Sequence, residues 1–411
     1  MQVLLVQPPI YDFAAYDFWL RPYGMLRVAG RIRQAAELTL FDFLVSQRRD
    51  AWGRGRYPAG IIQKPKEFRD IPRNFRRFGR PRVEFQEFLK ARSFDAVLIQ
   101  TMMTYWYPGV REVIEDLRRL QPGAKIILGG IYATLCPEHA AALGADLVVE
   151  GNHLEGVWRL LGIEPRNDYP AWMPPVGEVG VLKLTEGCPF HCTYCSAPIS
   201  SPEFETRAVE DCLEELRRLF RLGARQVAFY DDALLFRAHD ILVPFLEGVR
   251  REGLAASFHT PNALHARFIS AELASLMVQS GFRSFFLGFE SGVENWQRST
   301  GGKVSSTEFA SAVRSLRAAG AESIAAYILA GHPDSDGQEI EPSMNLAHET
   351  GARILLSEFS PVPGTPDAAK SAAWADLPEP LSHNKTAFAF RRLGGGRLAR
   401  LKDLARELNH R

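Results

Sequence analysis

Three cysteines, Cys188, Cys192 and Cys195, stand together in the run Glu186-Gly187-Cys188-Pro189-Phe190-His191-Cys192-Thr193-Tyr194-Cys195. A C-x3-C-x2-C spacing within one loop can bring three thiolates to three irons of a 4Fe–4S cluster. No fourth cysteine lies nearby, so one iron would stay open to a ligand from outside the protein. An open iron makes such a site chemical rather than structural. The competing reading is a Cys3His zinc site completed by His191. His191 lies between two of the ligands in a tight loop, where reaching back to the same metal is awkward. Cys136 and Cys212 are isolated and read as ordinary buried thiols.

A loop of this kind needs a rigid support. Val181–Thr185 reads as the strand that delivers it, and Val209, Cys212, Leu213, Leu216 and Phe220 form the apolar face of the helix that follows. The same alternation then recurs. Val227–Tyr230 leads to Asp231-Asp232, Ala256–His259 to Thr260-Pro261-Asn262, and Phe285–Phe289 to Glu290-Ser291-Gly292. Ile324–Leu329 leads to Gly331-His332-Pro333, and Ile354–Phe359 to Ser360-Pro361. Ser305 with Glu308 predicts a capping box on one of the intervening helices. Six strands with polar residues or glycine at their carboxyl ends predict a partial (β/α)6 barrel with its site at that rim.

The preceding half also alternates. Val3–Val6, Leu38–Phe43, Ala96–Gln100, Lys125–Leu128 and Leu147–Glu150 read as strands separated by helices, the pattern of an α/β, Rossmann-like parallel sheet. Ligands of such sheets lie beyond the strands' carboxyl ends. Here those ends carry Pro8-Pro9, the bulky loop Thr101–Tyr107 that includes Thr104, and Gly129–Thr134. Gly129-Gly130 is open to two readings, a tight turn onto a helix or close approach to a ligand. The expected organisation is a first domain over 1–165 with a basic insertion at 46–92, a linker over 166–180, the barrel over 181–368 and a helical tail over 369–411.

At 46% hydrophobic and 24% charged, the composition is that of a globular protein with a large core, which argues against wholesale disorder. No apolar run is long enough to span a bilayer, and the first ten residues read as a strand rather than a signal peptide. Closely spaced thiols suit a reducing compartment, so a cytoplasmic location is expected. Net charge is +1 overall, yet the segment Arg48–Arg82 carries twelve Lys or Arg against Asp50, Glu67 and Asp70. Interleaved with Tyr57, Phe68, Phe75 and Phe78, that segment reads either as a solvated excursion or as an anion or nucleic-acid patch.

Taken together, the CxxxCxxC loop with Tyr194 before its last cysteine, the barrel series and the sheet ahead of it resemble the radical S-adenosylmethionine (SAM) enzymes that carry an N-terminal cobalamin (B12)-binding-type domain. The resemblance covers Met1 to about Pro366. It implies a 4Fe–4S cluster on Cys188, Cys192 and Cys195, with SAM on the open iron and a 5′-deoxyadenosyl radical as product of reductive cleavage. Tyr230-Asp231-Asp232 stands where the family places its SAM amino-group motif, although Asp231 can equally cap the next helix. Gly288-Phe289-Glu290-Ser291-Gly292 resembles the motif near the SAM ribose and methionine, with helix capping as the other role for Ser291. His259 and Glu290 are the candidate catalytic residues. His259 is a conceivable proton donor at the rim or a satisfied structural residue, and Asn262 would face SAM or substrate.

Tyr327–Pro333 fits the family's GxIxGxP adenine motif only at Gly331 and Pro333. In the first domain Thr101, Thr104, Gly129 and Gly130 are the candidate corrin contacts. The DxHxxG motif, whose His replaces cobalt's lower base, is absent. The leading expectation is a radical enzyme acting on an unactivated carbon of a small molecule, with cobalamin-dependent methyl transfer. It would draw electrons from a donor such as flavodoxin or ferredoxin. The alternatives are a cobalamin-free radical enzyme catalysing rearrangement or ring formation, and a nucleic-acid-binding iron–sulfur protein. Neither a membrane nor a nucleic acid is the expected partner.

Overall fold

In a computed structural model, which describes residues 1–173 and 177–410, the chain divides into two units. One consists of Met1–Pro174 with Pro378–His383, the other of Pro175–Leu377 with Asn384–Arg411. Part of the expected linker, residues 174–176, lies outside the described residues.

In the first unit, β1 (Gln2–Gln7), β2 (Glu37–Asp42), β3 (Ala96–Thr101), β4 (Lys125–Gly130) and β5 (Leu147–Val148) form one parallel sheet in the order β5-β4-β3-β1-β2. The central strands β1 and β3 are continuous apolar runs because helices cover both sheet faces. The covering helices include α1 (Tyr23–Ile32), α2 (Arg82–Lys90) and α3 (Tyr107–Leu120). Strand order reverses between β1 and β3. That reversal opens a crevice outside their carboxyl ends, the usual ligand position in such sheets.

The basic insertion is shorter than expected, since residues 82–90 belong to α2, the helix between β2 and β3. Short antiparallel pairings occupy the rest: Arg76–Phe78 lies between Ile10–Asp12 and Ala59–Ile61. Phe13, Phe68 and Phe75 fasten the segment through ring contacts of 5.1–5.3 Å. Several of its arginines meet carboxylates from outside it, Arg49 with Asp17, Arg77 with Glu112 and Arg82 with Asp116, each at 2.7 Å. The local charge excess is therefore partly neutralised within the fold.

The second unit is built on β6 (Val179–Leu182), β7 (Gln226–Phe229), β8 (Ser257–His265), β9 (Phe282–Glu290), β10 (Ser323–Ala330) and β11 (Arg353–Glu358). They are parallel and paired in sequential order, an open (β/α)6 arrangement. Between them run α4 (Val209–Arg221), α5 (Leu242–Arg251), α6 (Ala271–Gln279), α7 (Ser306–Ala318) and α8 (Ile340–Glu349). Ser305 and Glu308 form the expected capping box at the start of α7. Leu182, Phe229, Phe258, Phe285, Leu287 and Ile324 lie in one continuous core under these helices.

Two elements differ from the sequence reading. β6 stops at Leu182, and Thr185–Glu186 pairs instead with Glu205–Thr206. β8 does not end before Thr260-Pro261-Asn262 but runs through it to His265, with a register shift that accommodates the proline. The tail also differs: 378–383 clusters with the first unit, whereas α9 (Lys385–Leu393) and α10 (Gly395–His410) belong to the second. α10 covers the open edge of the sheet. Its Asn409 accepts from the Ile354 N–H at 2.7 Å and donates to the Ile354 carbonyl at 2.9 Å, which blocks an exposed strand edge. Among the described residues no helix is long and apolar enough to cross a membrane.

Candidate functional site

The segment between β6 and α4 presents the three cysteines. Cys188 is buried, Cys192 and Cys195 are half-buried, and all three are free thiols. The Cys195 N–H donates to the Cys192 carbonyl at 3.1 Å, which turns the chain, and the Ala197 N–H donates to Cys195 Sγ at 3.4 Å. Burial pushes Cys188 up to about 11 and raises Cys192 and Cys195 as well, with repulsion among the thiols adding to it. Gly301, at φ +115°, lets the next loop lie against Cys192; a side chain there would come within 2.9 Å of the Cys192 Cα.

Among the described residues no three His, Cys, Asp or Glu side chains converge as ligands of one metal ion. A 4Fe–4S cluster asks for a different arrangement, with each thiolate on its own iron. Three free thiols spread over one turn of loop, with no fourth, fit that donor set. Cys212 is enclosed on α4 in the core, with its thiol 3.9 Å from the Lys183 carbonyl, and Cys136 belongs to the first unit.

Charges of opposite sign act on the loop. Lys303 and Glu290 form a buried ion pair at 2.8 Å, with side chains 10% and 8% exposed. Burial works against the Lys303 ammonium, but Glu290, Cys192 and Cys195 outweigh it and hold Lys303 above its usual range. Glu290, expected as a catalytic group and a partner of sugar hydroxyls, thus gives Oε1 to Lys303. It does so from a strained backbone, φ +62°, uncommon for a residue with a side chain. On the anionic side Asp232, itself raised by burial against the pull of Lys183, acts on Cys188 and Cys195.

Asp231 does not cap a helix. Its Oδ1 accepts from the Leu184 N–H at 2.9 Å and from the N–H and hydroxyl of Thr185 at 2.6 and 2.8 Å, so it anchors the chain entering the cysteine loop. Its Oδ2 is buried without a hydrogen-bond partner, and burial pushes the carboxyl up to about 6. Asn262 donates to the carbonyls of Tyr230 and Asp231 at 3.0 and 3.3 Å. Ser291 Oγ accepts from the Val293 N–H at 3.2 Å. Gly331 turns the chain directly after β10, and Tyr327, where the family motif has glycine, donates its hydroxyl to the Pro261 carbonyl at 3.0 Å.

His259 is the clearest correction. It is fully buried, with Nδ1 bonded to Ser284 Oγ and Nε2 to Gln226 Oε1, each at 2.8 Å. Since β8 continues to His265, His259 lies inside the sheet and away from the rim, so it is a structural residue rather than a proton donor. The histidine at the end of the strand is His265. Its ring stacks on Phe190 of the cysteine loop at 4.3 Å, and its Nδ1 is buried without a hydrogen-bond partner. Lys303, His265 and Arg267, whose Nε donates to the Lys303 carbonyl at 2.5 Å, escaped the sequence reading. The only sequence signal for Lys303 is the Gly301-Gly302 pair ahead of it.

The first unit's sheet edge is of another kind. A cleft at the switch point is lined by Gln7, Pro9, Leu44, Met102, Met103 and Trp106, among others, and Gln7 Oε1 is buried without a hydrogen-bond partner. Thr101 and Thr104 are committed to the fold. Thr101 donates to the Gly129 carbonyl at 2.9 Å and accepts from the Ala133 N–H at 3.1 Å, and Thr104 bonds His383 at 2.9 Å. The glycine pair divides. Gly130, at φ +107°, would drive a side chain to 2.2 Å from the Thr101 carbonyl oxygen, so the turn itself demands glycine. At Gly129 a Cβ would meet only Val149, at 3.9 Å, leaving room that the fold does not use.

Comparison with known proteins agrees with this division. Residues 182–347 match the Radical SAM superfamily and residues 70–156 match the B12 binding domain. The chain thus carries a match to the radical SAM superfamily preceded by a match to a B12 binding domain. An uncharacterized methyltransferase of Pyrococcus horikoshii is 26% identical over 209 residues, 49% of this chain and 43% of the relative. The threonylcarbamoyladenosine tRNA methylthiotransferase MtaB of Thermotoga maritima is 23% identical over 287 residues, 62% of this chain and 64% of the relative. The match thus spans between 43% and 64% of the length of these relatives. The radical SAM methyltransferase TsrM of Kitasatospora setae, solved with tryptophan and a SAM analogue, superposes with a TM-score of 0.66 at 16% identity, covering 90% of this chain and 76% of TsrM. That likeness establishes the shared fold.

Proposed function

We propose that this protein is a radical SAM enzyme that uses a 4Fe–4S cluster and cobalamin to methylate an unactivated carbon of a small-molecule substrate. The observation that carries the reading is the loop of three free thiols between β6 and α4, with the buried Lys303–Glu290 ion pair in the same unit. When bound, the cluster and SAM supply one-electron cleavage to a 5′-deoxyadenosyl radical, and cobalamin supplies a methyl carrier.

In this reading Cys188, Cys192 and Cys195 each hold one iron. Asp232 receives the SAM ammonium and Lys303 its carboxylate, while Asn262, Ser291 and Gly331 border the nucleoside. Glu290 keeps Lys303 charged and aimed, and Phe190, Tyr194 and Trp296 exclude water from the loop. In the first unit the space at Gly129 and the apolar cleft at Met102 and Met103 would receive the corrin. An electron donor such as flavodoxin or ferredoxin and a reducing, cytoplasmic compartment complete the reading. A second reading, radical chemistry without cobalamin, is favoured by the commitment of Thr101 and Thr104 to the fold.

Anaerobic reconstitution with iron, sulfide and hydroxocobalamin, followed by desalting, tests the choice. Near-stoichiometric corrin, with transfer of labelled methyl from SAM to a candidate substrate, supports the proposal. Protein that forms 5′-deoxyadenosine yet retains no corrin overturns methyl transfer in favour of the second reading.

A further inference from the structure

The two residues between Cys192 and Cys195 face a part of the chain far away in sequence. The Thr193 hydroxyl donates to Asp367 Oδ2 at 2.5 Å, and the Asp367 N–H donates back to the Thr193 carbonyl at 3.2 Å. Asp367 is fully buried, in the short helix Pro366–Ala369 that Thr365 caps. Its Oδ2 also accepts from His332 Nε2 at 2.8 Å, and Lys370 lies 2.9 Å from Oδ1. The Asp334 N–H donates to His332 Nδ1 at 3.2 Å, which leaves the ring proton on Nε2, aimed at Asp367. Although burial acts the other way, His332, Thr193 and Lys370 together hold the Asp367 carboxyl well below the usual carboxylate range, so it is ionised at neutral pH.

Next to this pair, the Tyr194 ring stacks on Trp296 at 6.0 Å and meets the edge of His332 at 6.4 Å. Tyr194 further packs against the cluster of Phe359, Ala375 and Phe388, which comes from the end of the barrel and the tail. Elsewhere the loop is held by the Thr193 N–H, which donates to the Thr300 carbonyl at 3.2 Å, and by Phe190 stacked on His265, whereas the Thr193 side chain is held by Asp367, and a loop is held only as firmly as its hydrogen bonds and packing hold it.

We propose that Asp367 is a positioning residue for the cysteine loop, a latch that, steered by His332, grips Thr193 and fixes the spacing of Cys192 and Cys195. The segment after β11 is then part of the metal site although it contributes no ligand. The proposal rests on the reading of these cysteines as cluster ligands for its consequence, but not for its geometry. Breaking the latch frees the loop in the apoprotein. It also speeds cluster loss in the loaded protein.

The test measures both. In the apoprotein, alkylation of each cysteine is followed by peptide mapping in the wild type, Asp367→Asn, Thr193→Val and Thr193→Ser, with Cys212 as an internal gauge of global unfolding. The expected result is alkylation of Cys192 and Cys195 about tenfold faster in Asp367→Asn and Thr193→Val, the scale of one hydrogen bond to a charged group. Cys212 is unchanged and Thr193→Ser behaves as wild type. Should Asp367→Asn expose Cys212 as well, Thr193→Val decides, since it removes a single hydrogen bond. Equal rates in the wild type and Thr193→Val overturn the latch. In reconstituted protein the same variants should lose iron to a chelator faster than wild type. A wild type that takes up no cluster overturns the cluster reading while leaving the apoprotein result to judge the latch.

Discussion

The carboxyl edges of the two sheets occupy equivalent places in their units and are built differently. At the rim of the second unit, charges are buried and held in tension: Lys303 against Glu290, three thiols raised by burial, and Asp232 without a close cationic partner of its own beyond Lys183. At the edge of the first, the polar side chains Thr101 and Thr104 are consumed by the fold, and what remains is an apolar cleft with one spare acceptor on Gln7. One edge gathers buried charge and the other is largely apolar. In the proposed function, binding at the first edge turns on shape, and at the second on charge.

Removing a thiol should have the largest effect. Cys188→Ala, Cys192→Ala or Cys195→Ala is expected to abolish the cluster absorbance and to lower 5′-deoxyadenosine formation by about a thousandfold or more, the scale of a lost essential group. Corrin retention by the first unit should survive the same substitutions. A coupled loss of both would break the comparison.

Next comes the buried pair. Lys303→Met leaves Glu290 charged and unpaired and should cost about 3–5 kcal/mol in denaturant unfolding of the apoprotein. Lys303→Met with Glu290→Gln should recover most of that. Thr101→Val, the counterpart at the first edge, removes hydrogen bonds between neutral groups and should cost only about 1–3 kcal/mol. Equal costs for Lys303→Met and Thr101→Val would erase the contrast.

Asp231 gives a pH-dependent form of the same difference. Its carboxyl is pushed up to about 6 by burial, so the folded chain keeps a proton that the unfolded chain loses near pH 4. The folded state binds more protons in that window, and its stability falls as pH rises from about 4 to about 6, by roughly 2 kcal/mol at most. Unfolding of the apoprotein at pH 4.5 and 7.5 should show this component in the wild type and not in Asp231→Asn. A wild type and variant with parallel pH profiles would contradict the assignment.

The smallest and most selective effect belongs to the first edge. Gly129→Leu sets its Cβ 3.9 Å from Val149, an ordinary contact, and should lower the melting temperature far less than it reduces corrin retention, by about tenfold, or ~1.4 kcal/mol. Gly130→Ala, forced into a positive φ against the Thr101 carbonyl, should instead destabilise by about 1–3 kcal/mol. Unimpaired corrin retention by Gly129→Leu would remove that glycine from the ligand face.

Much of this was legible in the sequence because it is written in local pattern. The cysteine spacing and the six apolar runs with polar ends are short-range signals, and so is the Ser305/Glu308 cap. His259 was misplaced for a local reason too: Pro261 reads as a strand end, whereas a register shift carries β8 past it to His265. Lys303 and Asp367 were out of reach for the opposite reason. Lys303 meets Glu290 through the return of the chain after β9, and Asp367 meets Thr193 across 174 positions. Nothing in either residue's own neighbourhood marks the encounter. At the first edge, Thr101 and Thr104 looked available because their partners, Ala133 and His383, come from other elements.

In the proposed function, Cys188, Cys192 and Cys195 leave one iron open for SAM. Electron paramagnetic resonance of the anaerobically reconstituted, dithionite-reduced protein, recorded with and without SAM, tests it most directly. The expected result is a reduced 4Fe–4S signal whose g-values and line shape change on addition of SAM, and its disappearance in Cys192→Ala. A cluster signal indifferent to saturating SAM, or no 4Fe–4S signal in the wild type, would contradict it.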